Sequence, residues 1–180
     1  KLQKQHKSFV AVIYNYTGYP LVREMKARIE NNQIGKLEYL EFEMPQDAFI
    51  NQYKSYSIQK WRMHDQFIPN ICLDLGVHLY NLSSFITNQN PYTVFSEFGK
   101  FSTNKIVDHV NILIKYKSGL KGSFWLSKRA AGIRNGLKLR IFGSKGSLEW
   151  LQMNPEILKF SDEKGNLFTI DRGSKNLECS

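Results

Sequence analysis

The second half of the chain is a run of short alternating segments separated by glycine-bearing turns, and this limits the fold more than any other feature. Val110, Ile112, Ile114 and Tyr116 alternate with more polar positions, and Ser118-Gly119 turns the chain into Leu120–Ser127. Leu137, Leu139 and Ile141 alternate with Lys138, Arg140 and Phe142. Gly143-Ser144-Lys145-Gly146 then turns into Ser147–Leu151. Ile157–Phe160 is set to pair with Leu167–Ile170 across Glu163-Lys164-Gly165-Asn166, and Pro91–Phe101 reads as one more strand. Consecutive hairpins of this kind build an antiparallel sheet, not a helical bundle.

The first half supplies the helices. Pro20 suits a first helical turn, and Leu21, Met25 and Ile29 recur every four residues, which predicts a helix over Pro20–Asn32 with Gly35 as its stop. Lys36–Met44 alternates as a strand closed by Pro45. Gln46–Asp65 is long, irregular and polar, a kind of loop that often carries function. Pro69–Thr87 reads as a second helix, apolar around most of its circumference. Phe9–Tyr14, six apolar residues in a row, reads as a strand buried on both faces. The expected fold is α+β, a mostly antiparallel open sheet with helices packed on one face. Tyr92, Phe95, Phe98 and Trp125 are expected to pack as sheet-face core.

Charge is unevenly placed. Lysine and arginine exceed the acids by 25 − 16 = 9. No acid occurs between Asp108 and Glu149, a window holding nine lysines and arginines, so this segment carries the whole excess. Such a window is either a solvated sheet face or a surface for anions or phosphate backbones. Two cysteines, Cys72 and Cys179, make a poor disulfide framework and point to a reducing compartment, so a cytoplasmic location is expected. The longest stretch lacking charged residues, Leu75–Ser96, is too polar to span a bilayer, and no secretory signal is evident. No membrane partner is expected.

Chemistry concentrates on the second helix. Asn70, Asp74, His78 and Asn81 form one polar stripe among Leu73, Leu75, Val77, Leu79, Leu82 and Ile86. A buried carboxylate beside an imidazole is costly unless each satisfies the other or a ligand. The pair can move a proton near neutral pH, with the carboxylate fixing the imidazole tautomer. It can equally be a structural hydrogen bond within a core; a metal pair is weaker, because no further ligand cluster accompanies it. Gly143-Ser144-Lys145-Gly146-Ser147 lacks phosphate-loop spacing and sits between strands, so it reads as a hairpin turn. Cys72 reads as packing on the buried helix.

Asn15-Tyr16-Thr17-Gly18-Tyr19-Pro20, Trp61-Arg62, Asp74-Leu75-Gly76-Val77-His78 and the stretch Asn135–Trp150, with its Gly-Leu-x-x-Arg-Ile-x-Gly-x-Lys-Gly-Ser pattern, occur in characteristic order. In these residues the chain resembles the second half of the glucose–fructose oxidoreductase/inositol dehydrogenase (Gfo/Idh/MocA) family. The resemblance implies that Asp74 and His78 are the catalytic pair, His78 as acid/base on a substrate hydroxyl or carbonyl and Asp74 orienting it. It places Asn15, Tyr16, Trp61, Arg62 and Asn81 at the substrate, with Asn15 and Thr17 at the rim near a nicotinamide. No metal is implied.

No Gly-x-Gly-x-x-Gly and no Glu-Lys-Pro occurs, so the resemblance implies that the Rossmann domain and its catalytic lysine are not in this chain. On that reading residues 1–15 are the end of that domain, 16–172 the substrate-binding and oligomerisation domain, and 173–180 a tail. NAD or NADP is the expected cofactor of the complete enzyme, and none is expected to bind this chain alone. The expected partners are a sugar or polyol, the Rossmann domain and further copies of the chain through the sheet face; nucleic acid is not expected. The rival reading is a non-catalytic oligomerisation or anion-binding module that keeps the fold.

Overall fold

The computed structural model describes residues 2–50, 59–103 and 105–179. Eight strands form one open sheet: β1 (Leu37–Pro45), β2 (Thr93–Gly99), β3 (His109–Lys115), β4 (Lys121–Ser127), β5 (Lys138–Gly143), β6 (Gly146–Leu151), β7 (Ile157–Asp162) and β8 (Leu167–Asp171). Their order is β2-β3-β4-β1-β5-β6-β7-β8. Every pairing is antiparallel except β1 with β4, which run parallel at the centre. The α+β reading holds, and so do the hairpins, including the Gly143–Gly146 turn between β5 and β6.

Side-chain alternation divides the sheet into two faces. One cross-strand row runs Ile112, Phe124, Phe42, Leu139, Trp150, Leu158 and Ile170, and the helices cover it. Phe42 is fully buried and its ring stacks on Phe124 with centroids 5.6 Å apart. The adjacent row, on the open face, runs Phe95, Leu113, Ser123, Glu41, Arg140, Glu149, Lys159 and Thr169. Here the basic window meets acids from outside it. Arg140 pairs with Glu41 at 2.7 Å and with Glu43 at 3.1 Å, and Glu149 takes Lys138 at 3.7 Å and Lys159 at 3.1 Å. Two of the nine basic residues of the segment, Lys138 and Arg140, are thus matched across the strands of this face.

Four aromatics correct one expectation. Tyr92, Phe95 and Phe98 are exposed, not core, and Trp125 is half-buried. Phe95 and Trp125 lie on the open face: alternation tells which residues share a face but not which face is covered. Phe98 is in register with buried Val110 and Leu126 on the helix side, but it sits on the edge strand β2, and Tyr92 precedes that strand. The second correction is Phe9–Tyr14, which forms no strand. Phe9, Val10, Val12 and Ile13 stand in solvent, because no strand among the described residues lies beside them.

A short exposed helix, α1 (Leu2–His6), precedes that segment. The two larger helices are α2 (Pro20–Glu30) and α3 (Val77–Thr87). α2 has Pro20 in its first turn and buries Leu21, Val22 and Met25 toward β6 and β7. It also buries a carboxylate. Glu24 accepts from Arg28 Nε at 2.6 Å and from the backbone N–H groups of Glu178 at 2.7 Å and Cys179 at 3.0 Å, which straps residues 178–179 to the helix. The helix expected over 69–87 is continuous from residue 70, but Cys72–Gly76 is wound as a π-helix before α3 begins. Of the irregular stretch 46–65, positions 51–58 lie outside the described residues, and Lys60–Met63 is a 3-10 turn.

Candidate functional site

The π-turn decides where the polar stripe points. The Val77 N–H bonds to Cys72 O, five residues back, so one extra residue is wound into the helix between Asn70 and His78. Such an insertion rotates the residues before it relative to those after it, and the stripe no longer lies on one line. Gly76 helps the segment fit: a Cβ there would sit 3.3 Å from Leu126 Cδ1.

Asp74 consequently faces the end of the parallel strand pair. Its Oδ2 receives the Lys128 ammonium at 2.6 Å, and its Oδ1 receives Nε and Nη2 of Arg62, both at 3.1 Å. Lys128 also donates to Gln46 Oε1 at 3.0 Å. His78 faces the segment before α2, where Asn15–Gly18 forms a 3-10 turn. The edge of its imidazole meets Tyr16 at 4.9 Å and Tyr14 at 6.2 Å between centroids. Its Nδ1 is buried without a hydrogen-bond partner, so no bond joins Asp74 to that nitrogen. Burial holds the imidazole below its usual pKa, and the Asp74 charge opposes that shift.

The other sequence-predicted residues divide. Tyr16 is buried against His78, and its hydroxyl receives Asn135 Nδ2 at 3.4 Å. Arg62 reaches Asp74, with its guanidinium 4.8 Å from the Trp61 ring, while Trp61 itself is exposed and donates its indole N–H to Gln59. Asn15 is exposed, and the Thr17 hydroxyl is spent on Tyr14 O at 2.9 Å. Asn81 lies nearly one turn beyond His78 with its carbonyl oxygen buried and unpartnered. Asn70 leaves the stripe: its amide side chain donates to Trp61 O and its backbone N–H to Asp65, tying down the 60–63 turn. Cys72 is only half-buried, and its thiol is pushed up by burial first and by Asp65 second.

Lys128 and Asn135 are what sequence reasoning missed. Lys128 counted as one charge among nine, yet Gly122, Phe124 and Leu126 alternate as buried positions along β4, where Ser127 at the end is buried too, and residue 128 continues that alternation just past the strand. That signal was present. Asn135 opens the Asn135–Trp150 stretch that carries the resemblance, but no role is assigned to it there. Among the described residues no group of three or more acidic, histidine or cysteine side chains is arranged to hold a metal. No helix among them is long and apolar enough to cross a membrane.

The sequence model of the GFO/IDH/MocA C-terminal domain matches residues 22–149. The chain belongs to the GFO/IDH/MocA family. An uncharacterized oxidoreductase of Bacillus subtilis (strain 168), YfiI, is 28% identical over 184 residues, spanning 98% of this chain and 47% of that protein. The chain thus covers about half the length of this relative. The inositol dehydrogenase homolog of Azotobacter vinelandii, solved with NADH and myo-inositol, superposes with a TM-score of 0.84 at 23% identity, covering 98% of this chain and 46% of its own. A levoglucosan dehydrogenase solved with NADH and levoglucosan gives 0.77 at 19% identity, covering 89% and 46%. At these identities the two structures establish the shared fold of this GFO/IDH/MocA domain.

Proposed function

We propose that this domain is the substrate-binding half of an NAD(P)-dependent oxidoreductase that acts on a sugar, polyol or similar hydroxylated compound. The observation that carries the reading is the unpartnered, buried Nδ1 of His78 beside an Asp74 carboxylate already held by two cations. A buried ring nitrogen with no partner is a hydrogen bond left unmade, the kind of group that a functional role explains. An imidazole kept uncharged near neutral pH can take a substrate hydroxyl's proton as the carbon is oxidised, and return it in the reverse direction. Tyr16 and Tyr14 wall the ring on one side and restrict how a substrate approaches it. The structural neighbours were solved with myo-inositol and with levoglucosan, both hydroxylated compounds, which supports extending that class to this chain.

On this reading the dinucleotide is held mainly by the cofactor-binding half. Thr17 has its hydroxyl satisfied by Tyr14 O, and Asn15 stands on an exposed turn. NAD(P) supplies the hydride acceptor when the domain works with a cofactor-binding half. The chain's own part is to bind the substrate, orient it and move the proton. The open sheet face, with Tyr39, Phe95 and Leu113 exposed, is read as the surface through which copies associate.

Two readouts test this. NADH and NADPH titrated into the chain and followed by nicotinamide fluorescence are expected to show no saturable change; tight binding would overturn the division of labour. In the enzyme that joins this domain to a dinucleotide-binding half, His78→Asn is expected to lower kcat on a polyol far more than it raises KM. Unchanged turnover would remove His78 from the proton step.

A further inference from the structure

Lys128 is the least expected member of the site. Lysine is almost never buried unless paired, yet this one is 6% exposed. Its backbone is fixed on both sides: the N–H donates to Asp108 O at 2.8 Å, and the carbonyl accepts from Phe49 N at 2.9 Å. Gln46, which receives its ammonium, is itself tied by backbone bonds to Ser127 and Ala130. The ammonium is therefore delivered to Asp74 Oδ2 from a rigid corner where β1 and β4 end. Arg62 reaches the other oxygen from a surface turn, with 38% of its side chain exposed against 8% for Lys128. Two cations thus share one carboxylate, one fixed and one at the rim.

We propose that Lys128 is a positioning residue that fixes and neutralises Asp74, so that His78 remains in the uncharged form able to accept a substrate proton. This rests on the reading of His78 as the acid/base group. The groups around His78 are Asp74 on its own helix, the Tyr14 and Tyr16 phenols on the preceding segment and, beyond Asp74, Lys128 and Arg62. β1 turns Leu40, Phe42 and Met44 toward the helices, and Lys26 of α2 meets α3 only at its far end, at Phe85 and Asn88. Asp74 is therefore the charge whose strength at the imidazole can change, and Lys128 is the neighbour that sets it. Burial lowers the His78 pKa, and the Asp74 charge is the opposing influence on it.

The test reads the ring directly, by NMR titration of His78 in this chain without substrate. Lys128→Met is expected to raise the His78 pKa by about half a unit as the Asp74 charge is uncovered, while Lys128→Arg stays within about two tenths of wild type. In an Asp74→Asn background the Lys128→Met shift is expected to disappear. A folded Lys128→Met chain whose His78 titrates as wild type would overturn the proposal, and so would a shift that persists undiminished in the Asp74→Asn background. Should Lys128→Met alone fail to fold, comparison of D74N with D74N/K128M decides: equal pKa values support action through Asp74, and a difference of about half a unit refutes it. Because no turnover is measured, failure of the polyol reading leaves this result standing, and the reverse also holds.

Discussion

Replacing Glu24 by glutamine tests how residues 178–179 are held. The Glu24 side chain is fully buried and accepts three hydrogen bonds, one from the Arg28 guanidinium and two from backbone amides. Glutamine has nearly the same shape but a single acceptor oxygen. If that oxygen faces the amides, its NH2 abuts the Arg28 Nε–H, donor against donor. If it faces Arg28, both amides lose their partner. Either way at least one charge-assisted bond is lost and a buried donor is left unpaired, costing about 3 kcal/mol in total. For a chain of this size that lowers Tm by about 6–12 °C. Urea unfolding followed by circular dichroism gives the stability, and hydrogen exchange at residues 178–179 reports the strap itself. The expected result is a loss of about 3 kcal/mol with faster exchange at both amides. A loss under about 1 kcal/mol with both amides still protected would refute the argument that the carboxylate holds this segment.

Two further outcomes follow from the site and the sheet. Burial holds the folded-state pKa of His78 below its unfolded value, so the unfolded chain binds more protons between the two. The His78 contribution to stability is therefore intact above the unfolded value near 6.5 and is lost as pH falls below it; His78→Gln is expected to flatten the acid-side decline seen in urea midpoints below about pH 6.5. An equally steep decline in the variant would show that His78 is not the group responsible. On the open face, Leu113→Lys introduces a charge beside Phe95 and is expected to shift the chain toward monomer in light scattering without changing its stability to urea by more than about 0.5 kcal/mol. A wild-type chain that is already monomeric at high concentration would remove the sheet-face interface.

What the sequence made legible is what local periodicity encodes. Leu137, Leu139 and Ile141, or Leu21 and Met25, announce their elements because the buried face repeats at the strand or helix period, and each became core. The polar stripe on the second helix was visible for the same reason. Its aim was not, because the extra residue wound in at Cys72–Gly76 is a backbone event that no spacing of side chains reveals. Phe9–Tyr14 shows the reverse failure. Six apolar residues record a need for neighbours, and the described residues provide them only at the segment's end, where Tyr14 meets His78. Phe95 failed through a missing sign, since period two fixes a pair of faces and topology settles which one the helices cover; Phe98, on the covered side, is exposed because β2 is the edge of the sheet. Lys128 meets Asp74 across 54 positions of sequence, a distance over which local pattern carries no information.

The central place of β1 also dictates an order of events in time. Its parallel partner begins roughly 80 residues further along the chain, and its antiparallel partner later still. The meander β5–β8, by contrast, closes through short turns between successive strands. Local pairings form early and distant ones late, so the meander and the β2–β3–β4 unit are natural first assemblies and β1 the strand that joins them. On a ribosome adding about 5–20 residues per second, Leu40, Phe42 and Met44 wait several seconds for the neighbours that will bury them. During that interval β1 is the segment through which a nascent chain is open to chaperones, and to mispairing with another copy of itself.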